Sequence, residues 1–384
     1  MKNKKIYFPT FGSGLGHASR TSTIAKSLPK NYTYYFSSFS DGSIFLKEQG
    51  FECHDVTPLD ISWSTKGGAS KFNTLINSPK LLSTFIKHIS NERGNIAKNR
   101  PNLIFSDSRL SPIIAAKMCG IPSITILNQI RLILSIKERR IRIIEQIAGE
   151  MLGILWNLSN EILIPDLPPP YSICLENVDK IHSVSKKIEF IGFLSNVPKV
   201  NNNKQIRNIL KINNHNPILY IQISGPKSSR NNVYKKIMGI IKSNNVKYNL
   251  IISKGIPEGD VRPKKSNNVI IFDWCPYQEI FEVADCIVMR GGHSTISKAL
   301  TAGKPIISIP IINQTEQLQN AKRIEELGLG ICINENDLEK KILVSINNIF
   351  SDNNYISNVE KFKKRANKYN AIKKCHEKIE KYTV

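Results

Sequence analysis

Short hydrophobic runs alternate along the chain with longer segments whose apolar residues recur at helical spacing. In the first half these runs predict strands at 5–10, 33–38, 103–106, 123–127 and 161–164. A second series is predicted from 217 onwards, at 217–223, 249–253, 269–272, 286–289, 305–309 and 330–333. Strands separated by helices indicate parallel, doubly wound sheets, so the same α/β unit is predicted twice.

The predicted boundary between the two α/β domains lies near residue 195, where a strand and a glycine turn lead into a run of asparagines at 201–203. We therefore expect an N-terminal domain at 1–195, a C-terminal domain at 196–355 and a basic helix at 356–384 that can cross back onto the first domain. Ligands of such folds bind at the carboxyl ends of the strands. We expect the two domains to face a central cleft that holds the ligands.

The net charge of +23 on 384 residues suggests a partner that is anionic: nucleic acid, a membrane surface or a phosphorylated ligand. No aromatic-interleaved basic surface or recognition helix is evident, which argues against nucleic acid. Apolar runs stay below the ~18 residues that span a bilayer, and no secretory leader is evident, so we expect a cytoplasmic protein. The seven scattered cysteines show no metal-binding spacing, which predicts no bound metal.

A strongly informative segment follows the predicted strand at 286–289. Arg290, the glycines Gly291 and Gly292, and then His293, Ser294 and Thr295 place backbone N–H groups and small hydroxyls at the start of a helix. Such a helix start can receive a phosphate. It can equally be a tight turn followed by a helix cap, and the residues alone leave both interpretations open. One strand later, Glu316 and Gln317 offer a carboxylate and an amide for sugar hydroxyls.

A glycine-rich loop, Phe11-Gly-Ser-Gly-Leu-Gly-His17, follows the first predicted strand. It departs from the dinucleotide-binding pattern because His17 occupies a glycine position. A histidine there can act as a general base, with Arg20 one turn later as a counter-charge. Asp107, at the end of a neighbouring strand, either orients His17 or caps the helix expected near Pro112, and the sequence favours neither.

These motifs resemble the inverting glycosyltransferases of the GT-B fold over nearly the whole chain. Trp274-Cys-Pro, the segment from Arg290 to Thr295, Pro310 and Glu316-Gln317 resemble the signature of plant secondary-metabolite glucosyltransferases. The glycine loop and Ser224-Gly-Pro-Lys227 are more similar to the bacterial transferases that add N-acetylglucosamine to an undecaprenyl-linked peptidoglycan precursor.

The resemblance implies an acceptor-binding N-terminal domain and a C-terminal domain that binds a nucleotide-sugar donor. It implies transfer of a hexose or N-acetylhexosamine from a UDP-sugar, which is a co-substrate, with no further cofactor and no metal. The catalytic residues would be His17 and Asp107. Acceptor contacts are predicted for Gly14, Gly16, Arg20 and Asn128. The nucleotide and diphosphate contacts would come from Ser224, Gly225, Lys227, Phe272, Trp274, Arg290, Gly291, Gly292, His293, Ser294 and Thr295. The donor sugar would be bound by Glu316 and Gln317.

One position departs from the family pattern. Lys298 stands where the family usually has a glutamate that accepts hydrogen bonds from the ribose diol. A lysine only donates hydrogen bonds, so it cannot replace that contact. The prediction that the nucleotide is uridine is therefore supported by less of the sequence than the prediction of the fold.

The segment 130–156 mixes isoleucine and leucine with five basic residues. It predicts either a surface that lies on an anionic membrane and presents a polyprenyl-linked acceptor, or buried helices with basic outer faces. Other functions remain open from the sequence. The Gly14-to-Arg20 pattern also resembles nucleotide-sugar hydrolases of nonulosonic acid synthesis, and a nucleotide-sugar 2-epimerase is a third alternative. A non-enzymatic basic binding protein would explain the charge, but it would not explain the two loops that combine glycines with a histidine.

Overall fold

The computed structural model of the chain describes residues 4–58, 78–131, 139–179, 181–195, 203–212, 215–244, 247–256 and 258–383. These residues form two compact units that divide between Leu194 and Ser195, and the chain returns to the first unit at Tyr369. Each unit is an α/β structure built on its own sheet, as the alternating hydrophobic pattern predicts.

The first unit has a seven-stranded sheet with the order β3-β2-β1-β4-β5-β6-β7 over the described residues. The strands are β1 (Lys4–Pro9), β2 (Tyr32–Ser38), β3 (Cys53–Asp55), β4 (Leu103–Asp107), β5 (Ser123–Ile126), β6 (Glu161–Ile164) and β7 (Ile188–Phe190). The helices up to residue 194 are α1 (Leu15–Ser27), α2 (Ser40–Glu48), α3 (Ser78–Asn99), α4 (Leu110–Met118), α5 (Arg139–Trp156) and α6 (Leu175–Val178), and a 3-10 turn spans His182–Val184. Every neighbouring pair in this sheet is parallel.

The central strands of the first sheet are apolar on both faces because helices cover both. Phe8 stacks on Phe36 with ring centroids 5.2 Å apart on one face, and Tyr7 stacks on Tyr35 at 4.6 Å on the other. A parallel sheet buried on both sides reads in sequence as a continuous hydrophobic run rather than an alternating one.

The last helix, α14 (Ala371–Thr383), completes the first unit. Its apolar residues Ala371, Cys375 and Ile379 are buried in the same cluster as strands β1 and β4. Glu161 at the start of β6 accepts hydrogen bonds from Lys378 at 3.1 Å and Lys381 at 2.7 Å. Alternating apolar and basic residues therefore fix this helix to the unit that begins the chain.

The second unit has a seven-stranded sheet with the order β10-β11-β9-β8-β12-β13-β14 over the described residues. The strands are β8 (Ile218–Gln222), β9 (Asn249–Ser253), β10 (Lys264–Ser266), β11 (Val269–Phe272), β12 (Cys286–Met289), β13 (Ile306–Ser308) and β14 (Gly330–Cys332). The helices are α7 (Asn203–Ile209), α8 (Lys227–Ser243), α9 (Ile280–Val283), α10 (His293–Ala302), α11 (Thr315–Glu326), α12 (Leu338–Ser351) and α13 (Asn353–Ala366), and a 3-10 turn spans Glu335–Asp337. Only β10, at the edge of this described sheet, runs antiparallel to its neighbour.

The predicted strands agree with the structure to within about two residues. Two strands were not predicted, β3 and β10, and both are three residues long and largely exposed. Short exposed edge strands carry little hydrophobic signal, which explains why the pattern did not reveal them.

Candidate functional site

In each sheet, the first strands along the chain are added toward one edge and the later strands toward the other edge, so the order reverses at one point. In the first sheet this point lies between β1 and β4, and in the second it lies between β8 and β12. Helices that follow such strands diverge to opposite faces and leave a crevice at the carboxyl ends, where ligands of open α/β sheets bind. The glycine loops predicted to bind ligands follow β1, β8 and β12.

His17 and Asp107 meet at the crevice of the first sheet. The His17 Nδ1 atom lies 2.7 Å from Asp107 Oδ1, and the aspartate is fully buried while 24% of the histidine side chain is exposed. The Arg20 Nη2 atom also approaches His17 Nδ1, at 3.0 Å, but Asp107 is nearer. Because the ionised carboxylate can only accept, a neutral imidazole that bonds to it carries its proton on Nδ1, and the Nε2 lone pair is left for a substrate. Asp107 does not cap the helix, because α4 has Arg109 at its N-cap.

Arg20 holds Asp107 from the other side. Its Nε and Nη2 atoms each lie 2.5 Å from a carboxylate oxygen, in a two-point ion pair. Burial raises the pKa of Asp107, but the charge of Arg20 and the hydrogen bonds from Arg20 and His17 together outweigh burial and keep the pKa of this carboxyl below its ordinary value. Arg20, which was predicted to bind the acceptor, is itself buried, and its guanidinium is paired with Asp107. Asn128 is buried next to the Arg20 guanidinium, with its Oδ1 atom 3.4 Å from Nη1.

The glycine loop of the first unit passes close to other backbone. A Cβ atom on Gly12 would lie 1.9 Å from the carbonyl oxygen of Phe39, so only glycine fits there. Gly14 is the N-cap of α1 with a φ of 78°, and no side chain caps the helix at this residue. Gly14 and Gly16 thus leave backbone at the start of α1 free of covering side chains, next to His17.

The segment after β12 is a glycine turn that leads into the start of a helix. Gly291 has a φ of 81°, and a Cβ atom there would lie 2.9 Å from both the Gln317 carbonyl oxygen and the Ser308 hydroxyl. Gly292 is the N-cap of α10 and provides no side-chain cap. His293 is buried, whereas Ser294 and Thr295 are partly exposed in the first turn of the helix. The open helix start offers backbone N–H groups and partial positive charge to an anion.

A second helix start lies beside it. Strand β8 pairs with β12, and it leads through Ser224 and Gly225, with a φ of 103°, into α8 at Lys227. Lys227 is exposed. The predicted residues Ser224, Gly225 and Lys227 therefore share the carboxyl edge of the sheet with the Gly291–Gly292 turn.

Two residues predicted to contact the donor, Arg290 and Phe272, have buried side chains. The Arg290 side chain is 1% exposed and donates from Nη2 to Glu335 at 2.5 Å and to Ser229 at 3.0 Å. It therefore lies under the turn and not on the surface that a diphosphate would touch. Phe272 is fully buried and packs edge-on against Tyr277. The sequence pattern did not reveal this burial, because a strand buried on both faces gives no indication of which end residue is exposed.

The other residues that are predicted to contact the nucleotide-sugar donor differ in how exposed their side chains are. Trp274, after β11, is partly exposed. Glu316 is partly exposed in the first turn of α11, whereas the Oε1 atom of Gln317 accepts a hydrogen bond from the Ile311 backbone at 3.0 Å. The side-chain carbonyl of Gln317 therefore holds the loop at Ile311. Its side-chain amide nitrogen is the group that can donate to a sugar hydroxyl.

Lys298 lies on α10, one turn after the Ser294 and Thr295 hydroxyls. Its Nζ atom donates to Gln278 Oε1 at 2.7 Å. Burial lowers the pKa of Lys298 to about 8, because the ammonium loses hydration.

The predicted membrane segment is partly described. Helix α5 carries exposed apolar side chains at intervals that place them on one face: Ile143, Ile144, Ile147, Met151 and Ile154 are each 58% exposed or more. Over the described side chains of α5, one face is thus exposed and apolar, whereas Glu145 and Trp156 are buried. Residues 132–138 lie outside the described residues, and no described helix is both long and apolar enough to cross a bilayer.

Comparisons with known proteins agree with this architecture. Residues 4–148 match the model of glycosyl transferase family 1, and 228–378 match that of the glycosyltransferase family 28 C-terminal domain. An uncharacterized glycosyltransferase of Methanosarcina mazei is 24% identical, with 98% of each chain covered. The UDP-N-acetylglucosamine–N-acetylmuramyl-(pentapeptide) pyrophosphoryl-undecaprenol N-acetylglucosamine transferase of Thermosipho africanus is 34% identical over 32% of this chain and 35% of its own.

Among solved structures, the glycotransferase of kitacinnamycin has the same fold, with a TM-score of 0.69, 16% identity and full coverage of both chains. The relatives are named as transferases, which gives the hydrolase alternative no support. The chain therefore has the GT-B fold, and each of its parallel-sheet units is similar to a glycosyltransferase family.

Proposed function

We propose that this glycosyltransferase inverts the anomeric centre of a UDP-sugar, a hexose or N-acetylhexosamine donor, as it transfers the sugar to an acceptor hydroxyl. The observation that carries the proposal is the His17–Asp107 pair at the crevice of the first sheet. Its buried aspartate and partly exposed imidazole have the arrangement of a general base held in one tautomer.

The proposed reaction is a single displacement. The acceptor oxygen forms a bond to the anomeric carbon as its proton passes to Nε2 of His17. The bond from the anomeric carbon to the diphosphate oxygen breaks, and its electron pair leaves with the diphosphate. Attack opposite the leaving group inverts the configuration. Asp107 stabilises the imidazolium that forms, and Arg20 keeps this carboxylate ionised and in place.

On the donor side, the N–H groups of the Gly291–Gly292 turn and the start of α10 receive the growing negative charge. Ser224, Gly225 and Lys227 add a second helix start at the same edge, and Trp274 stacks against the base. The side chains of Glu316 and Gln317 contact sugar hydroxyls. These fixed dipoles and Lys227 supply the positive potential that a metal ion provides elsewhere, which favours a reaction without a metal or other cofactor.

The proposed acceptor is linked to a polyprenyl lipid. Helix α5 follows β5, and α3 follows β3, so both begin on the side of the first sheet where the strands end and where His17 lies. The exposed apolar face of α5 and the exposed Leu82 and Ile86 near the start of α3 are suited to the interface of an anionic membrane. The chain's net charge of +23 favours such a surface.

The test is incubation of the protein with labelled UDP-N-acetylglucosamine, with and without a polyprenyl-phosphate lipid extract. Lipid-dependent UDP release with label in the lipid phase supports the proposal. Release of UDP and free sugar without lipid would instead identify a hydrolase. His17→Ala is expected to reduce turnover by a factor of about 10² to 10⁴ while UDP binds as before. Unchanged turnover would remove His17 from the mechanism.

A further inference from the structure

A buried ion pair lies under the proposed phosphate site of the second unit. Arg290 directly precedes the Gly291–Gly292 turn, and Glu335 lies in the 3-10 turn after β14. Their side chains are 1% and 4% exposed, and the Arg290 Nη2 atom lies 2.5 Å from Glu335 Oε2. Burial lowers the pKa of Arg290, and the charge of Glu335 opposes this effect. The arginine is therefore a charge that the fold keeps inside the unit.

The pair connects both helix starts at the crevice of the second sheet. Arg290 donates to Ser229 at 3.0 Å, and Asn232 donates to Glu335 at 3.0 Å. Ser229 and Asn232 belong to the first two turns of α8, whereas Arg290 is three residues before α10. The pair thus joins the turn after β12 to the helix after β8.

The guanidinium is only partly satisfied. Its Nε and Nη1 atoms are buried and have no hydrogen-bond partner among the residues that the structure describes, although each carries a proton. A buried arginine with unused donors costs stability unless its charge serves another group. Glu335, in contrast, is held by both Arg290 and Asn232, so its carboxylate is fixed beside the arginine and offsets part of its charge.

We propose that Arg290 and Glu335 are positioning residues that together set how strongly the second unit holds the diphosphate. Arg290 provides positive potential beneath the Gly291–Gly292 turn. Glu335 reduces that potential and fixes the arginine, so that the diphosphate product can be released. This inference rests on the proposed function, because it requires a nucleoside diphosphate at this edge of the sheet.

The experiment measures the affinities of Glu335→Gln and the wild-type protein for uridine, UMP and UDP by calorimetry. Glutamine keeps the shape and an accepting oxygen but removes the negative charge. The change in affinity is expected to follow ligand charge: less than about twofold for uridine, larger for UMP and about tenfold tighter for UDP. The matched control is Glu326→Gln, which removes the same charge from a residue of the same unit that is 60% exposed.

Three results separate the possibilities. A graded increase in Glu335→Gln alone supports the inference. Equal changes for all three ligands, no change for UDP, or the same gradient in Glu326→Gln would overturn it. Absence of UDP binding by the wild-type protein would overturn the proposed donor, and this inference with it.

A second variant covers the case in which Glu335→Gln does not fold because its arginine is left unpaired. Arg290→Gln combined with Glu335→Gln leaves no net charge to compensate. It is expected to lower the preference for UDP over uridine about tenfold, since the guanidinium nearest the turn is gone. A preference equal to that of the wild-type protein would overturn the inference.

Discussion

Replacing Lys298 with methionine is expected to stabilise the protein at neutral pH. The Lys298 side chain is partly buried, and its ammonium group donates to the neutral Gln278 and lies 5.9 Å from the centroid of the Phe281 ring. Loss of hydration lowers its pKa from 10.5 to about 8. That difference corresponds to about 3 kcal/mol of unfolding free energy. Methionine keeps much of the aliphatic stem but loses one hydrogen bond, worth about 1 kcal/mol. The net gain expected at pH 7 is therefore about 2 kcal/mol.

The pH dependence gives the prediction a second signature. The unfolded chain holds the Lys298 proton up to a pH of about 10.5, whereas the folded protein releases it near 8. The wild-type protein therefore regains stability as the pH rises between these values, and the penalty is fully present below pH 8. The advantage of the methionine variant should shrink by about 1 kcal/mol between pH 7 and pH 9.

Urea-induced unfolding of both proteins at pH 7 and pH 9 measures this difference, since other titrating groups cancel. The control is Lys340→Met on the exposed face of α12, which should change stability by less than about 0.5 kcal/mol at either pH. The reasoning is refuted if Lys298→Met is no more stable than wild type, or if its advantage does not change with pH. A lysine that costs stability in the unit proposed to bind the donor is expected to contribute to ligand binding, so UDP affinity should fall in the same variant.

Three further predictions concern the other parts of the site. Asp107→Asn should reduce kcat by a factor of about 10² to 10⁴ in steady-state kinetics, with UDP affinity retained, because the amide no longer fixes the His17 tautomer; equal activity would contradict this role. Gly291→Ala should destabilise the second unit by about 1 to 3 kcal/mol in urea unfolding and weaken UDP binding, because the new Cβ atom would approach Gln317 and Ser308 at a φ of 81°. The control Gly239→Ala, which lies in open space on α8, should have neither effect. Replacing Ile147 and Met151 by aspartate should abolish sedimentation with anionic vesicles while the far-ultraviolet circular dichroism stays unchanged, and retained sedimentation would exclude the apolar face of α5 from membrane contact.

Most strands could be predicted because their hydrophobic runs are buried on both faces of a parallel sheet. The same feature limited the prediction of the site. Phe272 stands at a strand end next to Trp274, and nothing in a uniformly apolar strand indicates that Phe272 is buried while Trp274 is partly exposed.

Contacts between distant residues set the other limit. Local sequence predicted that His17 lies in a glycine loop and that Asp107 ends a nearby strand, and the parallel sheet brings them together. Arg290 looked like a phosphate ligand because it adjoins two glycines. Its actual partner, Glu335, is 45 residues away in a polar turn without any recognisable motif. Such a pairing becomes visible only when strand order is known.

The return of α14 to the first unit affects how the protein can be made. Ile379 and Cys375 share a hydrophobic cluster with strand β1, so the first unit to leave the ribosome lacks part of its core until synthesis has passed residue 379. The second unit is complete earlier, because its residues end at Lys368. During translation the second unit can therefore reach its final packing before the first, and a chain ending at Leu194 would leave apolar surface of its sheet uncovered and prone to aggregation.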